Sequence, residues 1–163
     1  LDEKGRTVLG KEQLQWLKDR LFNSNAAFKF VAMGGQFLNP SALYENYANY
    51  EEERQEIIDF IHKHQIKNVI FLTGDRHRSE LSVLELKNTP LIYDLTVSPL
   101  SSGTYGERPP EENTYRVDGT MVAQRNFGLV EVEGPYGERR LLIRVFNKQG
   151  KQLWEYAIEA EQE

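Results

Sequence analysis

Residues 68–82 read NVIFLTGDRHRSELS. The run NVIFL at 68–72 is the most hydrophobic short stretch of the chain, and it stops at Gly74, Asp75, Arg76 and His77. An uninterrupted apolar run of this length, rich in β-formers, predicts a strand covered on both faces. Its end places ionisable residues at one edge of a core, where they serve either as a charged turn or as ligands for a metal ion.

Working upstream, FKFVAM (28–33) has the same composition and ends at Gly34-Gly35-Gln36, which predicts a second covered strand. Between the two, Tyr50, Ile57, Ile58 and Ile61 fall on one helical stripe within residues 50–65, with Phe60 beside it. Strand, helix and strand in succession form a βαβ unit, whose two strands are expected to be parallel. A further helix is predicted over 10–23 from Leu14, Leu17 and Leu21, with Trp16 alongside, Glu12 in the first turn and Asn23-Ser24-Asn25 as its stop. Downstream of Ser79 the pattern turns to β. ELSVLEL (80–86) alternates with Leu81, Val83 and Leu86 expected inward, and LIYDLTV (91–97) follows Pro90. FGLVEVEG, ERRLLIRVF and QLWEYAI then form a meander with turns at Gly134–Gly137 and Asn147–Gly150. The fold class is α/β: a βαβ unit followed by an antiparallel β meander. The loop from Ser98 to Asn113, with Pro99, Gly103, Gly106, Pro109 and Pro110, is long for a compact domain and reads as a functional or mobile segment.

With 163 residues, 39% hydrophobic and 28% charged, the chain suits one domain with a real core. A net charge of −5 argues against a nucleic-acid binder, and no apolar run approaches the roughly 20 residues needed to span a bilayer. The absence of cysteine excludes disulfides, thiolate metal sites and a cysteine nucleophile. The chain starts at Leu1 without methionine or a signal-like segment, so it is expected to be processed or to be part of a longer polypeptide.

Ligands of open α/β sheets collect beyond the carboxyl ends of parallel strands. Here one such end delivers Gly34, Gly35, Gln36 and Asn39, and the other Thr73, Gly74, Asp75, Arg76 and His77. Asp75 and His77 are ligand types for Fe, Mn, Zn or Ca, though two donors make only part of a coordination sphere. By spacing alone the signal is weak, and a capping aspartate and a hydrogen-bonding histidine are the commoner explanation. Arg76 and Arg78 suit an anionic substrate, or pair with a nearby carboxylate. Arg54, on the apolar stripe, either lays its stem over the core or reaches a carboxylate or phosphate at the strand ends. His62 and His64, two apart on a helix, do not face one another and read as solvent-facing. Tyr44, Tyr47 and Tyr50 line a pocket or pack the start of the second helix.

TVLGKEQLQWLKDRL, FKFVAMGGQ, YEEERQEIIDFI and NVIFLTGDRHRSELS, in that order, resemble the later half of the alkaline phosphatase D (PhoD-like) metallophosphatases. YDLTVSPLSSG and QRNFGLVEVEG fit the β region that follows in that family, and the likeness runs from about Leu9 to Ile158. The resemblance implies the carboxy-terminal half of a four-layer α/β/β/α sandwich of the calcineurin-like metallophosphoesterase superfamily. It implies a two-metal centre (Fe, Ca, Mn or Zn) that hydrolyses phosphate mono- or diesters with a metal-activated water. Asp75 and His77 would be the metal ligands and catalytic residues, with Arg76, Arg78, Gln36 and Asn39 binding substrate. Arg78 stands where the family often has a small residue, and Gln36 where the superfamily sometimes offers a histidine. The family's earlier metal motifs do not occur before residue 28, so the chain is expected to supply two ligands to a site completed by a missing amino-terminal half, and to be inactive alone. Unpaired edges and apolar faces then imply self-association. Export to the periplasm or beyond is also implied. The rivals are a non-catalytic β-rich binding module and a degenerate phosphoesterase acting as an interaction platform.

Overall fold

The two apolar runs lie side by side. In the computed structural model, which describes residues 5–104 and 111–161, β1 (Lys29–Ala32) and β2 (Val69–Thr73) pair in parallel from Lys29↔Val69 to Ala32↔Leu72. Between them, a 3-10 turn at Tyr47–Tyr50 leads into α2 (Glu51–Lys63), and α1 (Gly10–Phe22) precedes β1. The next two strands, β3 (Glu80–Leu84) and β4 (Ile92–Thr96), join the same sheet in the order β1-β2-β4-β3. β4 runs parallel to β2 and antiparallel to β3, so the sheet is mixed and its parallel part extends over three strands. β5 (Asn126–Glu133), β6 (Arg140–Asn147) and β7 (Gln152–Glu159) form the expected antiparallel meander as a second sheet.

Strand alternation divides the core in two. Val69, Phe71, Ile92 and Leu84 face the helices, where they meet Leu14, Leu17 and Leu21 of α1 and Ile57, Ile58 and Ile61 of α2. Ile70, Leu81, Tyr93 and Leu95 face the second sheet and pack on Leu141, Ile143 and Ile158. The described residues thus stack as helices, mixed sheet and antiparallel sheet, an α/β/β arrangement. β3 departs from simple alternation, because Glu80 and Ser82 are as buried as Leu81. Leu86, expected inward, is 49% exposed, since the strand ends at Leu84 and the chain turns away before it. The free side of β3 is covered by the segment after Asn113: Val83 N–H donates to the Tyr115 carbonyl (2.8 Å) and Val117 N–H to that of Leu81 (2.8 Å). No described strand pairs with the other edge, β1, where Phe30 and Trp16 are 43% and 59% exposed. Such an edge is a template for further pairing.

The start of α1 is held from a distance. Its cap position, Leu9, offers no side-chain acceptor, and the exposed N–H groups of the first turn need one. Glu53 of α2 supplies it: its carboxylate accepts from Val8 N (2.9 Å), Leu9 N (3.0 Å) and Gly10 N (3.1 Å), and from the Tyr47 hydroxyl (2.8 Å). Burial pushes this carboxyl up, but the hydrogen bonds from Leu9, Tyr47, Val8 and Gly10 outweigh it and hold the group below its ordinary 4.5. A carboxylate at a helix amino terminus also meets the positive end of the dipole.

Replacing Glu53 with Gln removes the charge and turns a donor toward those N–H groups. The expected loss is about 1–3 kcal/mol at pH 7. Because the folded group titrates below 4.5, this stabilisation is complete above that pH and vanishes as the pH falls through the folded value. Urea melts of both proteins at pH 7 and pH 3 check it: the gap between them should narrow at the lower pH.

Candidate functional site

On the helix-facing side of the mixed sheet, polarity rises row by row toward the carboxyl ends of β1, β2 and β4. The register sets Val69, Ile92 and Leu84 in one row, Phe71, Asp94 and Ser82 in the next, and Thr73, Thr96 and Glu80 in the last. All of the polar members are buried. Beyond them the strand ends stay together, with Gly74 N–H on the Gly34 carbonyl (3.2 Å) and Val97 N–H on that of Thr73 (3.0 Å). Of the two groups of residues expected to converge at this edge, Gly34, Gln36 and Asn39 are linked to Gly74, Thr73 and Arg76 directly or through Thr96 and Glu111, whereas Asp75 is exposed and His77 bonds to Gly103.

Asp94 is fully enclosed and is the hub of this face. One carboxylate oxygen accepts from Phe37 N (2.8 Å) and Leu38 N (2.7 Å), the other from the Thr73 hydroxyl (2.7 Å). Burial pushes the group up to about 6 despite the Thr73, Leu38 and Phe37 hydrogen bonds, and the neighbouring Glu80 adds to the rise. By gripping Phe37 and Leu38, Asp94 fixes the loop that carries Gln36 and Asn39. Gln36 Nε2 donates to Thr96 Oγ1 (2.9 Å) and Glu80 Oε1 (2.6 Å), while its carbonyl accepts from Asn39 Nδ2 (2.9 Å).

Glu80 gathers the other flank. Arg116 pairs with its Oε2, Asn113 Nδ2 donates to its Oε1 (2.9 Å), and Arg78 Nε lies 3.9 Å from Oε2. Burial raises this carboxyl, but Arg116, Asn113 and Gln36 together hold it below the usual range. Next to it the buried Glu111 carboxylate contacts Arg76 and Arg78 and accepts from Asn39 Nδ2 (2.8 Å). The four residues expected to bind substrate (Gln36, Asn39, Arg76 and Arg78) are therefore brought together, buried, with Glu80 and Glu111 as their partners. The arginines pair with these two acids and not with Asp75.

Residues 75–78 alternate. Arg76 and Arg78 turn into the protein, whereas Asp75 is exposed and His77 half-buried. Asp75 (φ 62°) and His77 (φ 55°) both occupy the left-handed region, uncommon for side-chain-bearing residues though enriched in Asp and His. Such conformations cluster at functional sites. His77 Nδ1 lies 2.6 Å from the Gly103 carbonyl. A carbonyl only accepts, so Nδ1 donates, and Nε2 is the lone-pair nitrogen of the neutral ring. That is the tautomer of a metal-ligating histidine whose other nitrogen is tied to a carbonyl. The donor types suit a metal; among the described residues no group of three or more His, Cys, Asp or Glu could hold one.

The remaining candidates separate. Arg54 lies over the Asn39 carbonyl (Nη1, 3.4 Å). Tyr47 is core and Tyr44 is exposed above the Arg76 guanidinium (5.5 Å). His64 is exposed, but His62, expected to face solvent, is half-buried, and burial lowers its pKa. Gly106, Pro109 and Pro110 of the long loop lie outside the described residues. Asp94, Glu80, Glu111, Asn113 and Arg116 were not singled out from the sequence. The signal for two of them was present, as charged residues inside the predicted strands LIYDLTV and ELSVLEL.

A family model described as PhoD-like phosphatase matches residues 1–137. Alkaline phosphatase D of Bacillus subtilis (strain 168) is 35% identical over 89 residues, which cover 50% of this chain and 15% of that protein. The solved structure of PhoD superposes with a TM-score of 0.63 at 21% identity, over 97% of this chain and 36% of its own. At that identity the superposition speaks for the fold, an α/β architecture with two stacked sheets.

Asp94→Asn can keep every contact: its oxygen accepts from Phe37 and Leu38, and its amide donates to Thr73, which turns its hydroxyl to Thr96 (2.9 Å). A carboxyl whose pKa is raised on folding, from 3.8 to about 6, costs stability as the pH rises between those values. Asp94→Asn is expected to flatten that stretch of the profile and to match or exceed the wild type at pH 8. Asp94→Leu, which orphans two buried N–H groups, is expected to lose about 2 kcal/mol or more. Thermal melts from pH 4 to pH 8 read both.

Proposed function

The chain belongs to the PhoD-like phosphatase family, and from that membership we propose that it contributes Asp75 and His77 to a two-metal centre hydrolysing phosphate mono- or diesters. The observation that carries this is the tetrapeptide at the end of β2, whose acid and imidazole turn outward while its arginines turn inward. When bound, the metal ions (Fe, Ca, Mn or Zn) acidify the attacking water and neutralise charge that builds on the phosphoryl oxygens.

Asp75 and His77 would hold the metals, the Gly103 carbonyl keeping His77 Nε2 in its lone-pair form. Arg76, Arg78 and Asn39 supply donors for the substrate anion, and Gln36 holds Asn39 in place. Two ligands do not complete such a centre, so the rest come from elsewhere in the same polypeptide. Residues 1–163 are then the carboxy-terminal portion of the phosphatase domain. The chain spans 15% of the curated relative and 36% of the solved structure, which supports that assignment. Export follows as part of the same proposal.

The 163 residues alone are expected to release no nitrophenol from p-nitrophenyl phosphate above background, whereas the longer polypeptide does so in a chelator-sensitive way. A metal ligand should matter at least as much as the outer-shell groups whose loss costs up to about a hundredfold. Asp75→Asn and His77→Ala in the longer polypeptide are expected to lower turnover by about that factor or more, and to reduce metal content in elemental analysis. Turnover and metal content at wild-type levels in both variants would rule the assignment out.

A further inference from the structure

Glu111 presents one oxygen to more donors than it can satisfy. Its Oε1 is contacted by Arg76 Nη2, Arg78 Nη2 and Asn39 Nδ2, three nitrogens from two segments of the chain. A carboxylate oxygen has about two lone-pair sites. The mismatch shows on Arg78: its Nη2 touches Glu111 off the angle of a hydrogen bond, and among the described residues neither Nη2 nor Nε meets an acceptor in hydrogen-bonding geometry, although the side chain is 9% exposed. Leaving buried guanidinium donors unsatisfied is costly. Among the described residues, the carboxylates in ion-pair contact with Arg76, Arg78 and Arg116 are those of Glu80 and Glu111, so three guanidinium groups share two acids. The second acid is committed, because Glu80 is closed in by Arg116, Asn113 and Gln36.

A group with three oxygens on a tetrahedral centre would answer both deficits, offering each guanidinium its own acceptor and adding negative charge. We propose that Arg76, Arg78 and Asn39 form a cradle for a phosphoryl group, and that Glu111 holds its place in the ligand-free chain. The cradle is closed while Glu111 is in it, with Arg76, Arg78 and Glu111 side chains 4%, 9% and 5% exposed. The anion therefore enters as the carboxylate leaves, and Glu111 sets the affinity for phosphate by competing for the same donors. The identity of the anion rests on the phosphoester reading above; the competition does not.

The test is a titration of inorganic phosphate into the 163-residue chain, with chelator present and ionic strength held with chloride. Wild type, Glu111→Gln and Glu111→Gln/Arg78→Gln are compared by calorimetry. An intramolecular occupant lowers apparent affinity by the fraction of time the site is open. If Glu111 fills the cradle more than about nine-tenths of the time, Glu111→Gln binds phosphate about tenfold more tightly or better. The added loss of Arg78 should abolish that gain. Unchanged affinity in Glu111→Gln, or a gain that survives the loss of Arg78, overturns the proposal. Should Glu111→Gln unfold in chloride, phosphate at the same ionic strength should restore its circular dichroism, and failure to do so also overturns it. The titration contains no metal and needs neither Asp75 nor His77, so its failure leaves the metal assignment standing, and failure of that assignment leaves the titration valid.

Discussion

A carboxylate with no access to water must find its solvation within the protein, and Asp94 imposes that requirement on the middle of the mixed sheet. Two of its acceptor sites are met by consecutive backbone N–H groups from the loop after β1, and one by a hydroxyl on β2. The anion therefore ties the loop beyond one strand to the two strands beside it. Gln36 and Asn39 flank the gripped residues, so their amides inherit positions set by a side chain two strands away. The arginines follow: Arg76 shares Glu111 with Asn39, and Arg78 lies between Glu111 and Glu80. Such a network stands or falls together, since each buried polar group is worth its hydrogen bonds only while its partners stay in place.

The helix-facing side of the sheet supports this by division of labour. At the amino ends of the parallel strands its rows are aliphatic and bury the stripes of α1 and α2. Toward the carboxyl ends hydroxyls and carboxylates replace them without any increase in exposure. The second sheet sees only apolar residues from the same strands, so the polar network has one side to itself. Apolar packing is concentrated at one end of the strands and the polar network at the other, and Glu53 repeats the device in the helical layer by holding the start of α1 with a buried anion.

Local periodicity made the secondary structure legible. The helices, the buried strand β2 and the meander follow from apolar spacing, and parallel pairing follows from the βαβ order; β1, expected to be covered on both faces, is instead a sheet edge with Phe30 43% exposed. Convergence of Gln36 and Asn39 with Thr73, Gly74 and Arg76 was also legible, because it depends only on neighbouring parallel strands. The partners of those residues were not. Glu111 reaches Arg76 across 35 positions and Glu53 reaches Leu9 across 44, and no local pattern encodes such contacts. Glu80 shows the same limit. In sequence it occupies the polar phase of an alternating strand, which ordinarily means solvent, yet that face is covered by Gln36, Asn113 and Arg116. Leu86 failed for a simpler reason, since alternation was carried past the point where the strand stops.

The alternation at 75–78 has a consequence for how this segment can change over evolutionary time. Its residues are sorted by parity, odd positions toward solvent and even positions into the protein. A single-residue insertion or deletion just upstream would exchange the two sets, burying an aspartate and an imidazole and expelling two guanidinium groups. A one-residue change of length here is therefore expected to cost more than a change of side chain at the exposed positions.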